Sequence, residues 1–231
     1  MKTIGLIGGV SWQSTVDYYR IINEEVNKRL GKLHSAKIML CSLDFEEIHE
    51  LMREDNWMGV EARMAVNAKT LDKAGADMIL LCSNTLHKVA HAIETSGTVP
   101  LVHIGDAVGE AMAQKGLKTA GLLGTQCTME DGFYSRHLEK NWGIKVFVPP
   151  REDRKALDSI ILEELRLGLR HETSRAKIQG MIERLISEGA QGIVLGCTEL
   201  SCISDTGNAS IPLLHSTALH AIKGVDRALE E

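Results

Sequence analysis

The chain has 231 residues, 44% of them hydrophobic and 25% charged, with a formal net charge of -5. That balance excludes a disordered or fibrous chain, and the acidic excess argues against a nucleic-acid binder. At about 150 residues per domain, the length holds either one large domain or two lobes of about 100 residues each.

In chain order, short β-rich apolar runs predict strands at 3–7, 36–42, 78–82, 101–104, 119–123, 145–148, 192–195 and 213–214. Apolar residues at helical spacing predict helices at 14–30, 60–74, 107–115, 131–140, 154–169 and 174–188. Strands alternating with amphipathic helices are the pattern of βα units wound into parallel sheets. No apolar run approaches the roughly 20 residues of a membrane span, and glycines enter within the first nine residues, before a signal-peptide core can form. A cytoplasmic protein without membrane or nucleic-acid partners is expected. Its five cysteines, Cys41, Cys82, Cys127, Cys197 and Cys202, are an odd number in a mid-sized chain. They are expected to be free thiols, with Cys202 in the core.

The chain also resembles itself. Gly75-Ala76-Asp77-Met78-Ile79-Leu80-Leu81-Cys82-Ser83-Asn84 overlays Gly189-Ala190-Gln191-Gly192-Ile193-Val194-Leu195-Gly196-Cys197-Thr198 without a gap, 114 residues on. Gly5-Leu6-Ile7-Gly8 overlays Gly121-Leu122-Leu123-Gly124, and Pro100-Leu101-Val102-His103 overlays Pro212-Leu213-Leu214-His215, at offsets of 116 and 112. Three strand-end segments in the same order predict two similar pseudo-symmetric α/β lobes, each a short, mostly parallel sheet flanked by helices. The first lobe is expected to span 1–104 plus 211–231, and the second 105–210.

Ligands of parallel α/β sheets bind just past the carboxyl ends of the strands. Gly8-Gly9-Val10-Ser11, Ser83-Asn84-Thr85, Gly124-Thr125 and Cys197-Thr198-Glu199 all fall there, and all are rich in small or hydroxyl-bearing residues. Backbone N–H groups and hydroxyls at such places suit an anion. In the register of the repeat Ser83 stands opposite Cys197, so two lobes facing each other would set these residues on either side of one cleft. The constellation suggests a small carboxylate held between two proton-transfer groups.

Gly5-Leu6-Ile7-Gly8-Gly9 with Ser11, Asn84-Thr85 followed by His87, and Gly196-Cys197-Thr198-Glu199 resemble the aspartate/glutamate racemase superfamily, in particular its bacterial amino-acid racemase branch. The resemblance runs over nearly the whole chain. It implies a cofactor-independent isomerase, a homodimer, in which one cysteine removes the α-proton of an amino acid and a second returns a proton to the other face. The family pattern carries the second-lobe cysteine onto Cys197. Its first-lobe cysteine falls on Ser83, with Cys82 one residue away.

Adjacent side chains of an extended segment point to opposite sides, so Cys82 and Ser83 cannot both face a substrate. Repeat and family pattern both choose Ser83, leaving Cys82 as a buried strand-end thiol. A hydroxyl is a much weaker base than a thiol. The resemblance makes the second-lobe cysteine the base for the L-enantiomer, so a preference for L-substrates is expected. Without a cofactor the developing carbanion needs preorganised donors around the α-carboxylate. Asn84, Thr85, Thr125 and Thr198 are candidates, with Ser11 a further one. Thr85 reads equally well as a helix cap. Glu199 could tune the thiol, but capping is its expected role. Arg166 lies where aspartate-directed members often carry a basic residue, and reads equally well as a solvated helix charge.

His87 and His91 have the spacing of a zinc pair but lack a third ligand, so no metal is expected. The opening glycines lack both the dinucleotide fingerprint and the phosphate-loop lysine. Aspartate and glutamate are the expected substrates. Neutral amino acids, a one-cysteine isomerase or decarboxylase of another small carboxylate, and a catalytically silent binding protein remain open alternatives.

Overall fold

A computed structural model describes residues 1–200 and 210–230. Cys202 lies outside them. In chain order the elements are β1 (Ile4–Gly8), α1 (Trp12–Leu30), β2 (Ile38–Ser42), α2 (Phe45–Arg53), α3 (Trp57–Ala74), β3 (Met78–Leu81), a 3-10 turn (Thr85–Val89), α4 (Ala90–Glu94), α5 (Ile104–Gln114), β4 (Thr119–Gly124), α6 (Gln126–Glu130), α7 (Phe133–Trp142), β5 (Lys145–Phe147), α8 (Arg151–Ser159), a π-helical turn (Ile160–Glu164), a second 3-10 turn (Leu165–Leu167), α9 (Glu172–Ser187), β6 (Gly192–Gly196), β7 (Leu213–His215) and α10 (Ser216–Leu229). None of these helices is long and apolar enough to cross a membrane.

The chain divides into two compact units. Unit 1 comprises Met1–Ile104 and His220–Glu231, and unit 2 comprises Gly105–Leu219. Unit 1 holds a parallel sheet in the order β2-β1-β3, and unit 2 a parallel sheet in the order β5-β4-β6-β7. β1, β3 and β6 are buried at every position, as expected of parallel strands covered on both faces.

The internal repeat survives at the level of hydrogen bonds. Gly5 pairs with Ile79 in the first sheet and Gly121 with Ile193 in the second. Ile79 and Ile193 then meet Leu101 and Leu213, their N–H groups donating to Pro100 and Pro212 at 2.9 Å in both cases. The copies differ in extent. β7 is a strand, whereas the strand expected at 101–104 is a single bridge at Leu101, because Ile104 already opens α5 and its N–H is taken by the side chain of His87.

Alternation along β1 and β3 builds two cores in unit 1. Ile7, Ile79 and Leu81 pack with α3 residues Val60, Met64, Ala68 and Leu71. Ile4, Leu6, Met78, Leu80 and Cys82 pack on the other side with Tyr18, Ile22 and Val26 of α1 and with Ala221, Val225 and Ala228 of α10. The close of α10 therefore belongs to unit 1, although β7, just before it, pairs in the second sheet. The return expected at 211 comes at His220. α5 makes the reverse passage, following the Leu101 bridge of the first sheet but belonging to unit 2. There Asp106 accepts from Trp142 Nε1 at 2.9 Å and lies 2.6 Å from His137 Nε2. Gly109 lies flat on the Trp142 ring, where any Cβ would collide with it.

The continuous helix expected at 154–169 is broken into α8, the π-helical turn and the 3-10 turn, which ends at Gly168 in the left-handed conformation. α2, with Asp44 accepting the Glu46 N–H at its start, and α10 are further helices that the apolar spacing did not signal.

Candidate active site

The expected site residues fall into two groups, one at the strand ends of each unit. In unit 1, β1 and β3 run parallel, so Gly8-Gly9 and Cys82-Ser83 leave the sheet side by side, with the Cys82 N–H donating to Ile7 O at 2.9 Å. Gly9 has a positive φ of 84°, and a Cβ there would lie 2.1 Å from the Leu43 carbonyl oxygen, so only glycine fits. Its N–H donates to Thr15 Oγ1 at 2.9 Å. Ser11 follows with φ at 61°, an uncommon conformation for a non-glycine residue. It is buried, and its hydroxyl donates to Gln13 Oε1 at 3.1 Å.

Cys82 is 1% exposed and belongs to the apolar core beside α1. Burial pushes its thiol far above the ordinary cysteine value. Ser83 points out of that core and is half-buried. Its Oγ accepts the Leu86 N–H at 3.3 Å, within the first turn of Thr85–Val89, whose N-cap position is held by Asn84. Thr85, for which capping and substrate contact were alternative readings, is the first residue of the turn and not its cap. Asn84 is 6% exposed, and its Oδ1 is one of two buried side-chain polar atoms without a hydrogen-bond partner among the described residues. The other is the Tyr134 hydroxyl.

In unit 2, Gly124 pairs with Gly196, which sets Thr125 beside Cys197 at the two strand ends. Thr125 caps α6. Its Oγ1 accepts the Thr128 N–H at 3.4 Å and lies 2.9 Å from Thr128 Oγ1. Cys197 is half-buried, and its Sγ–H donates to Glu199 Oε2 at 2.8 Å. Thr198 Oγ1 donates to the same oxygen at 2.7 Å. Arg166, on the 3-10 turn after the π-helical turn, brings its Nε to 3.9 Å from Glu199 Oε1. The thiol therefore sits in a chain Arg166–Glu199–Cys197. Burial raises the thiol pKa well above the usual range, the negative charge of Glu199 raises it further, and the Arg166 guanidinium opposes both. At rest the sulfur carries its proton.

Glu199 had been expected to act as a cap, yet it is the group that touches the thiol. The signal available for it was its place two residues after Cys197. His87 stood out in the sequence for its place after Asn84-Thr85 and for a zinc-pair spacing with His91 at which no metal was expected. It is buried at 3% exposure with both ring nitrogens engaged, whereas His91 is exposed and lies 3.4 Å from Glu61.

Comparison with known proteins gives a consistent set of likenesses. A family model described as Asp/Glu/Hydantoin racemase matches residues 7–223. The chain is 28% identical over 220 residues to the broad specificity amino-acid racemase RacX of Bacillus subtilis (strain 168), covering 93% of each chain. Among solved structures, one from Yersinia pestis, provisionally assigned as an Asp/Glu racemase, superposes with a TM-score of 0.95 at 46% identity over the whole of both chains. An aspartate racemase homologue from Pyrococcus horikoshii OT3 superposes with a TM-score of 0.87 at 33% identity, again over the whole of both.

Proposed function

The chain belongs to the Asp/Glu/hydantoin racemase family, and from that premise we propose that it is an isomerase that racemises aspartate- and glutamate-type amino acids using its own side chains. Cys197 takes the α-proton of the L-enantiomer, and Ser83 serves the opposite face. The observation that carries this reading is the Cys197 thiol donating to Glu199 at 2.8 Å.

A protonated thiol cannot act as a base. Glu199 is within reach to take its proton, and Arg166, 3.9 Å from the other carboxylate oxygen, favours the resulting thiolate. The thiolate then takes the α-proton, the Cα–H bond breaks, and its electron pair passes into the substrate carboxylate. Donors in a partly dry site lower that step. Asn84, with a buried unpaired Oδ1, is suited to the substrate ammonium. Thr198, Thr125, Thr85 and Ser11 are the remaining candidate contacts. A proton returned from the other face completes inversion, and one returned by Cys197 restores the L-form.

Ser83 differs from Cys197 in kind. A hydroxyl donates a proton more readily than it takes one from carbon, and among the described residues the Ser83 hydroxyl meets a backbone N–H where the Cys197 thiol meets a carboxylate. Exchange from the L-side is therefore fast and from the D-side slow. A broader specificity that includes neutral amino acids is the second reading. It is supported by Arg166, whose guanidinium is already close to Glu199, and by the likeness to RacX.

The test is proton NMR of L- and D-aspartate and glutamate in deuterated water. Loss of the α-proton signal from the L-form that disappears with Cys197→Ala and survives Cys82→Ala supports the assignment. Equal turnover of both enantiomers by the wild type contradicts the asymmetry. Silence on all four substrates, with a melting temperature raised by ligand, points to a binding protein.

A further inference from the structure

Two buried histidines of unit 1 lie behind the Ser83 turn and take no part in the proton transfers above. His87 Nδ1 lies 2.6 Å from the Ser83 carbonyl oxygen, and its Nε2 lies 3.1 Å from the Ile104 backbone nitrogen. A carbonyl only accepts and a backbone N–H only donates, so the proton is on Nδ1 and the lone pair on Nε2. His220 is fixed in the same manner with the nitrogens reversed. Its Nε2–H donates to Val102 O at 2.6 Å, and its Nδ1 lies 2.7 Å from the Tyr18 hydroxyl, which donates to it. The two rings meet edge to face with centroids 5.7 Å apart.

These contacts sit at the chain's exits from unit 1. Ile104 is the last residue of the first segment of unit 1, and His220 is the first residue of its second segment. Ser83 is thus held on both sides. Its Oγ accepts the Leu86 N–H, and its carbonyl accepts from a ring whose far nitrogen is locked to Ile104.

We propose that His87 is a positioning residue for Ser83, fixing the peptide that aims the hydroxyl at the substrate and tying that peptide to the point where the chain leaves unit 1. The inference rests on the racemase reading. Its consequence is specific, because misplacing the group on one face changes how often an exchanged proton is returned with inversion. It leaves the removal of that proton by Cys197 to its own surroundings.

The test separates the two arms of the ring. In His87→Asn the amide nitrogen falls near the place of Nδ1 and keeps the bond to Ser83 O. In His87→Gln the amide falls near Nε2, so its oxygen keeps the Ile104 bond and the Ser83 bond is lost. L-aspartate, or whichever amino acid the wild type exchanges, is incubated in deuterated water. The D-product formed per α-proton lost is measured by chiral chromatography alongside NMR. For His87→Gln this ratio is expected to fall about tenfold or more, while for His87→Asn it stays within about threefold of the wild type even if total exchange slows. Both quantities come from the same folded molecules, so partial unfolding lowers them together and leaves the ratio unchanged. A wild-type ratio in His87→Gln overturns the proposal. Should that variant not fold, a collapsed ratio in His87→Asn overturns it instead. An absence of α-proton exchange with any amino acid in the wild type overturns the racemase reading itself, and this inference with it.

Discussion

Unit 1 and unit 2 share one frame and differ in what it carries. Their sheets have equivalent strand order, equivalent register at Gly5 and Gly121, and the same carbonyl contact from Pro100 and Pro212. At the equivalent strand ends, however, one frame presents Ser83, a hydroxyl occupied by a backbone N–H, and the other presents Cys197, a thiol on a carboxylate. Tyr18 and Tyr134, 116 residues apart, show the same divergence deeper in the molecule. The Tyr18 hydroxyl has His220, while the Tyr134 hydroxyl is fully buried and has no hydrogen-bond partner among the described residues. Packing accounts for the shared backbone, and the chemistry differs at strand-end positions that packing does not fix.

The sharpest way to break this comparison is to remove the Cys197 thiol. Cys197→Ala is expected to lower α-proton exchange from the L-substrate by roughly 100- to 10,000-fold, the usual contribution of a positioned acid or base. The measurement is the NMR wash-out. Restoring the symmetry is the converse experiment. Ser83→Cys is expected to raise exchange from the D-substrate by about tenfold or more, because a thiol at that position can act as a base.

Glu199→Gln sharpens the account of unit 2. The carboxylate beside Cys197 raises the thiol pKa, so neutralising it moves the alkaline rise of the rate to lower pH. The same change removes the acceptor for the thiol proton, so the maximal rate falls, by roughly tenfold or more. A pH–rate profile shows both effects. A lower maximum with an unmoved rise would mean that the carboxylate charge is not felt by the sulfur.

The smallest effect concerns the two tyrosines and is read by denaturant unfolding. Tyr18→Phe strands the His220 Nδ1 acceptor in the core and is expected to destabilise the protein by about 1–3 kcal/mol. Tyr134→Phe removes a buried hydroxyl that has no partner among the described residues, and is expected to be neutral or stabilising by about 1 kcal/mol. Equal losses in both would contradict the difference between the units.

Which parts of this were legible in the sequence follows from the range of the forces involved. The repeat was legible because strand-end glycines and apolar runs are local, and parallel pairing preserved their register. Alternation set Cys82 and Ser83 on opposite sides, and the repeat with the family pattern chose which of them is buried, leaving Cys82 beside α1. The break at the π-helical turn was hidden because the apolar spacing of 154–169 suits an uninterrupted helix, and only the structure shows Arg166 carried to Glu199. The bond between His87 and Ile104 joins groups 17 residues apart through a backbone donor, and no residue type marks such a donor in a sequence. Glu199 was ambiguous for a different reason. A carboxylate can cap a turn or hold a thiol, and its direction is decided by the neighbours it meets.

The closing helices carry a further consequence. α5 follows the first copy of the repeat yet completes unit 2, and the end of α10 follows the second copy yet lays Ala221, Val225 and Ala228 over the core beside β1. A gene cut between the copies would therefore leave the first fragment without Ala221, Val225 and Ala228 in its core and the second without the α5 residues that meet Trp142. A lesion in the last turns of α10 is felt beneath the first strand of the chain.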